Sequence, residues 1–410
     1  MSDQGIPTTH VGNLPRPAEL IDVGYHLIEG EEYDAEAYRA LVREATAQVV
    51  RRQAAAGITI GNDGEFGHTV GVPTDYGAWW HYAFRRLAGF GGWSDLASLP
   101  SAPPKQGVRL SSFARRRDTE RFPDVYATVV AAEGSGMKSS KDEVAGGFGI
   151  PVVTAELRYT GHEEIGRDVA NLKAALEASG AASGFMCAIG PGSLSRIGNA
   201  HYESDEEFVW ACAEAMREEY KAITGAGLIV QIDEPSFAEN WDQFNPAPTL
   251  DEYEAFTMIR IEALNHALRD IPRELVRFHC CWGSWHGPHT TDMEMKNLVG
   301  MLLRINAGSY SFEAANARHE HEWEAWEGVK LPDGVKLAPG VVTHSTNIVE
   351  HPELVAQRIE RFARVVGPEN VIASTDCGMG GRLHPDIAWA KLDALGEGAR
   401  LASGRPLTRA

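Results

Sequence analysis

Cysteine is scarce in this chain: five residues (Cys187, Cys212, Cys280, Cys281 and Cys377) in a total of 410. That set is too small and too odd for a disulfide framework, so a reducing compartment with free or metal-binding thiols is expected. Basic charge is also short. There are 38 Lys and Arg against 57 Asp and Glu, a net charge of −19. Such a balance disfavours nucleic acid, whose phosphates need a basic surface, and an anionic membrane face. No apolar run reaches the length needed to span a bilayer. The first residues, MSDQGIPTTHVG, lack the charged-then-apolar layout of a signal peptide. A cytoplasmic protein is therefore expected. No short internal repeat is evident.

What the chain does have is alternation. A helix over about 34–55 carries Tyr38, Leu41, Val42, Ala45, Val49 and Val50 on one face. Further helices are expected near 163–178, 204–223, 250–269, 291–304, 352–366 and 385–396. Between them lie short apolar runs that read as strands, ending near residues 12, 65, 190, 233, 281, 313, 344 and 377. Eight strands alternating with helices predict an α/β fold of the (β/α)8 TIM-barrel type, a single domain over 1–410. Residues 67–160 break the rhythm. They hold Trp79, Trp80 and Trp93, a Pro-rich patch at 100–104, a Gly-rich stretch at 145–149 and β-like pieces at 108–113, 126–131 and 152–159. This reads as an inserted excursion after the second strand, a long hairpin and lid or else a satellite hydrophobic cluster.

The polar groups cluster at the strand ends, where a barrel keeps its active site. In ELVRFHCCWGSWHGPHTT (274–291), His279 and Cys281 are two residues apart, on one side of a strand. Cys280 then points the opposite way, into packing. Glu313 closes the strand-like run from Tyr310, and Cys377 closes that from Val371. Singly, each would be a buried packing residue. Together His279, Cys281, Glu313 and Cys377 make a nitrogen, sulfur and oxygen donor set that suits Zn2+, because thiolates exclude magnesium and calcium. Zinc held by two thiolates is a modest Lewis acid, poorly suited to amide hydrolysis. It is well suited to holding a substrate thiol as the nucleophilic thiolate. Alkyl transfer onto sulfur is the chemistry expected. Cys187 and Cys212 read as buried small apolar residues.

These motifs resemble the cobalamin-independent methionine synthase family, in its catalytic C-terminal barrel. The resemblance rests on Gln231–Pro235 (QIDEP), the His279/Cys281 pair, Glu313, Val341–Ser345 and Asp376-Cys377-Gly378. Gly12, followed by Pro15, and Gly64-Glu65 match the first two strand ends. It covers about residues 7–395. The superfamily also includes epoxyalkane:coenzyme M transferase. The resemblance implies methyl transfer from a methyl-folate to homocysteine, with His279, Cys281, Glu313 and Cys377 as zinc ligands. Glu65 and Asp233 would hold the substrate amino group, with Gly12 and Asn13 beside them. His344 would protonate the leaving group, a role that also suits a histidine beside a metal at a strand end. Asn13 stands where the family carries Ser, which affects carboxylate binding, and the additional N-terminal barrel of full-length methionine synthases has no counterpart here. His286 and His289 have no counterpart either and read as pocket lining. The alternatives are an epoxide:thiol transferase of the coenzyme M type and a non-catalytic zinc-binding protein. The expected partners are a small thiol and an alkyl donor; a homo-oligomer is compatible with this picture.

Overall fold

The computed structural model describes residues 5–69, 78–94, 116–130, 150–181 and 183–406. Strands among them are β1 (Ile60–Gly61), β2 (Leu87–Ser94), β3 (Ile150–Tyr159), β4 (Ser183–Ile189), β5 (Gly198–Asn199), β6 (Ile229–Asp233), β7 (Val276–Cys280), β8 (Ser309–Phe312), β9 (Lys336–Val342) and β10 (Ser374–Thr375). Seven of them form one curled, all-parallel sheet in the order β1-β4-β6-β7-β8-β9-β10. The strands are apolar and buried because helices cover the sheet, which is the requirement for parallel strands.

Chain segment 7–9 lies between the two edges of this sheet. Thr59 and Ile60 donate backbone N–H bonds to the Thr8 carbonyl, at 3.2 and 3.0 Å. On the other side Thr9 donates to Ala373 and Ala373 to Pro7, each at 2.8 Å. The first strand expected from sequence is thus an isolated bridge, Thr8 to Ala373, and not a regular strand. The fold is mixed α/β with a curled parallel sheet, consistent with a TIM-like barrel.

The covering helices begin where the sequence supplies caps. Asp34 accepts from Glu36 and Ala37 N–H at 3.0 Å to start Ala35–Ala55. Thr249 and Glu252 form a capping box at Leu250–Ala267. Pro352 opens Pro352–Val366, which stops at Gly367. Helices Ala18–Glu29 and Ser236–Gln243 were not anticipated; the second follows directly on the QIDEP strand end.

In the excursion, β2 and β3 pair antiparallel, and β3 extends to β5. The pair is tied down by Arg86, buried against Asp168 (2.6 Å) and Glu219 (3.2 Å). The β-like reading of 126–131 is corrected. Tyr126–Val130 is a π-helical turn, because the Tyr126 hydroxyl is bound to the Asp118 carboxylate eight residues earlier (2.7 Å), and that bond overrides a weak β-preference. The pieces at 100–104, 108–113 and 145–149 lie outside the described residues.

Candidate functional site

Strand β7 delivers His279 and Cys281 and β10 runs into Cys377, and the ligand atoms of these three buried side chains lie within 4.8 Å of one another. Cys280, between the first two, faces the apolar core. Ring nitrogen Nδ1 of His279 is 3.2 Å from Ser311 Oγ on the neighbouring strand, its register partner. That bond fixes the imidazole and leaves Nε2 buried, without a conventional hydrogen-bond partner, against the Cys377 sulfur. Cys281 donates to Cys377, which holds Cys377 well below and Cys281 well above the usual thiol range. A buried imidazole nitrogen without a conventional hydrogen-bond partner beside two buried thiols is the donor set of a soft or borderline cation, so the residues fit a metal ion.

Glu313 joins a second group with His344 and Asp376, all within 4.8 Å of one another and buried. Its carboxylate accepts from Trp282 N–H (3.1 Å) and Asn316 Nδ2 (2.7 Å), and burial pushes it up to about 8. Asp376 holds the Glu313 loop in place by accepting from the Ala314 and Ala315 N–H groups at 2.7 and 2.8 Å. Burial pushes its own carboxyl up to about 6. Gly340 makes this approach possible, since a Cβ there would overlap the Asp376 carboxylate. His344 is 2% exposed, with Nδ1 unpartnered, and burial lowers it to about 3, so its ring is neutral.

A third group joins Glu65, Asp233 and Cys187. Gln231 donates to Asp233 Oδ1 (2.7 Å) and to the Val11 carbonyl (2.6 Å). Burial, then the Glu65 charge, raises Asp233 well above the usual carboxylate range. One Glu65 oxygen is buried with no hydrogen bond. Two carboxylates facing each other in a dry pocket call for a cation. Gly12 permits the arrangement: its φ is 126°, and a Cβ would overlap both Glu65 and Cys187. Asn13 sits between this group and Cys377. Its carbonyl accepts from Met379 and Gly380 N–H (2.9 and 3.0 Å) and its side chain from Arg16 (3.0 Å).

Sequence reasoning did not single out Ser311, Asp376 or Cys187 as site residues. The signal for Ser311 was available, since it lies two residues before Glu313 and so faces the same side of its strand. Cys187 had none; only the fold brings it to Glu65. His286 and His289 lie in the loop after Cys281. His289 bonds Asp292 (3.0 Å) through Nδ1 and the Trp285 carbonyl (2.9 Å) through Nε2, so it is held as part of the wall.

Thiol, imidazole and carboxylate donors gathered at the strand ends of a curled parallel sheet define a candidate metal site on a fold consistent with a TIM-like barrel. The chain belongs to the family described as cobalamin-independent synthase, catalytic domain, whose model matches residues 186–400. It is 23% identical over 400 residues to the methionine synthase of Thermococcus kodakarensis, covering 97% of this chain and 93% of that protein. A second relative is the 2-hydroxypropyl-CoM lyase of Xanthobacter autotrophicus, 26% identical over 230 residues, 49% of this chain and 56% of that one. Among solved structures, a B12-independent methionine synthase from Shewanella sp. W3-18-1 in complex with selenomethionine aligns with a TM-score of 0.67 at 20% identity, over 97% of both chains. That likeness concerns the fold. Among the described residues no helix is long and apolar enough to cross a membrane.

Proposed function

We propose that this protein is a zinc-dependent transferase that moves a methyl group from a methyl-folate onto the thiol of homocysteine, on a closed (β/α)8 barrel with 67–160 inserted as a cover. The observation that carries the reading is the convergence of His279, Cys281 and Cys377, all buried, with His279 Nε2 lacking a conventional hydrogen-bond partner. These three residues would hold the metal, with Glu313 completing the set. When bound, zinc supplies the means to keep a substrate thiol ionised at neutral pH.

The chain's own residues do the rest. Ser311 orients His279, and Asp376 sets the Glu313 loop. Glu65 and Asp233 form the anionic pocket for an amino group. His344 stands next to Glu313 and in reach of the Cys377 charge; burial holds it neutral, so it would first have to take up a proton before it could pass one to a departing amine. A second reading, addition of a thiol to an epoxide with a coenzyme M type substrate, is favoured by Asn13, which stands where a Ser is expected for the amino-acid carboxylate.

The test has two arms. Purified protein should carry about one zinc per chain. Cys281→Ser and Cys377→Ser should each lose most of it and Cys280→Ser should retain it, as read by metal analysis. Equal retention in all three variants would sink the assignment. Crossing homocysteine and mercaptoethanesulfonate with methyl-folate and epoxide donors then separates the two readings.

A further inference from the structure

The loop between Cys281 and Met293 adopts a conformation that its own sequence does not favour. Ser284 and His289 both lie in the left-handed region, at φ 57° and 55°, alongside Gly283 at 104°. Non-glycine residues keep such angles only where surrounding structure over-determines them, and such segments gather at functional sites. What over-determines this loop comes from a part of the chain more than 150 residues away.

Asp118, 0% exposed, takes four hydrogen bonds on its carboxylate. Oδ2 accepts from the His289 N–H (3.0 Å) and the Tyr126 hydroxyl (2.7 Å). Oδ1 accepts from the Thr290 N–H (3.0 Å) and hydroxyl (2.7 Å). The Tyr126 hydroxyl in turn accepts from Trp285 Nε1 (3.0 Å). The Trp285 ring packs against the Arg116 guanidinium, 4.0 Å from its centroid, and the His289 imidazole, also 4.0 Å away. The segment is itself fixed from below. Asp118 N–H bonds Asp242 (3.1 Å), Arg117 bonds the Trp241 carbonyl (2.6 Å), and Arg116 pairs with Glu239, on the helix that follows Asp233. At its other end the loop begins at Cys281, and the Trp282 N–H bonds Glu313.

We propose that Asp118 is a positioning residue. Its carboxylate is the anchor through which the excursion holds the 282–292 loop in its left-handed conformation, and so sets the wall beside Cys281 and Glu313. Trp285, bonded to Tyr126 and packed against Arg116 and His289, is thereby assigned to support of the loop. The zinc, homocysteine and catalytic arms of the following test rest on the transferase reading; the exchange arm does not.

The experiment compares wild-type, Asp118→Asn and Asp118→Ala proteins, zinc-loaded, by amide hydrogen exchange well below their melting temperatures. Asn keeps one acceptor of the two oxygens. Exchange at 284–291 should therefore rise by about tenfold in Asn and further in Ala, while Val276–Cys280 stays at the wild-type rate. Zinc content should remain at the wild-type value, and the affinity for homocysteine should stay within about twofold. Alkyl transfer, where the wild type shows it, should fall by about tenfold in kcat with KM for the thiol little changed. Should the Asp118 variants fail to fold, Tyr126→Phe removes one of the four bonds and should raise exchange in the same window alone. Unchanged exchange at 284–291 would overturn the proposal. So would faster exchange spread evenly over the sheet, which would make Asp118 a general stabiliser. Inactivity of the wild type with every donor, together with loop-confined exchange in the variants, would sink the transferase reading and leave this one standing.

Discussion

At the scale of single residues, the informative group is the pair Glu65 and Asp233. Two acids packed together in a buried pocket cannot both ionise cheaply, which is why Asp233 is pushed so far above its usual range. A cationic amino group relieves this, and its binding should release a proton. If the substrate thiol is an amino acid, Asp233→Asn should weaken its binding by about 1–3 kcal/mol through loss of a charge-assisted bond. A thiol without an amine, such as mercaptoethanesulfonate, should bind the variant as it binds wild type. Calorimetry on the zinc-loaded protein checks both; an unchanged homocysteine affinity would favour the epoxide reading. The residues of this pocket were legible to different degrees. Glu65 and Asp233 stood at strand ends beside turn residues. Cys187 could not be placed, because a cysteine inside an apolar strand looks alike whether it meets a leucine or a carboxylate.

At the scale of elements, the loop after β7 and the 3-10 helix Glu320–Trp326 are joined by a buried charge relay. His319 bonds Asp292 (3.1 Å) and Glu322 (2.8 Å) and stacks on Trp282 at 3.8 Å. Burial works against the imidazolium, but its bonds to the two carboxylates overcome that and raise it to about 9. A histidine raised in the folded state stabilises fully below its unfolded value, near 6.5, and loses that contribution as pH climbs through the folded value. The melting temperature of wild type should therefore exceed that of His319→Gln most at pH 6–6.5, by the equivalent of about 2–3 kcal/mol. The gap should close by pH 9–10. A gap that widens with pH would show that His319 is held neutral. Helix positions were readable because caps and apolar periodicity are local. The relay was not, since Asp292, His319 and Glu322 come from two loops whose meeting depends on the whole sheet. At 126–130 the misreading has a nearer cause: three β-branched residues favour a strand, while the Tyr126 hydroxyl is bound to Asp118 eight residues earlier.

At the scale of the molecule, the strand ends on which the donors sit are held by a sheet whose edges meet at residues 7–9. The alternation of strands and helices made this architecture legible, while the short, irregular first segment and the excursion did not follow the pattern. Because the large apolar core does not include Cys281 or Cys377, stripping the proposed zinc with a chelator should leave the protein folded. It should still melt earlier, since an ion present at about 100 times its dissociation constant contributes about 2.7 kcal/mol. For a chain of 410 residues that is a fall of roughly 3 °C in a thermal scan, reversed by adding zinc. An unfolded apo-protein would mean that the metal organises the barrel instead of occupying it. The meeting of first and last segments also orders events in time. A chain made from its N-terminus offers His279 and Cys281 long before Cys377, and Cys377 reaches them only when Ala373 has docked beside Thr8. If the centre holds an ion as proposed, one arriving earlier would find an incomplete grip, so a filled centre would mark a chain whose first and last segments have already met.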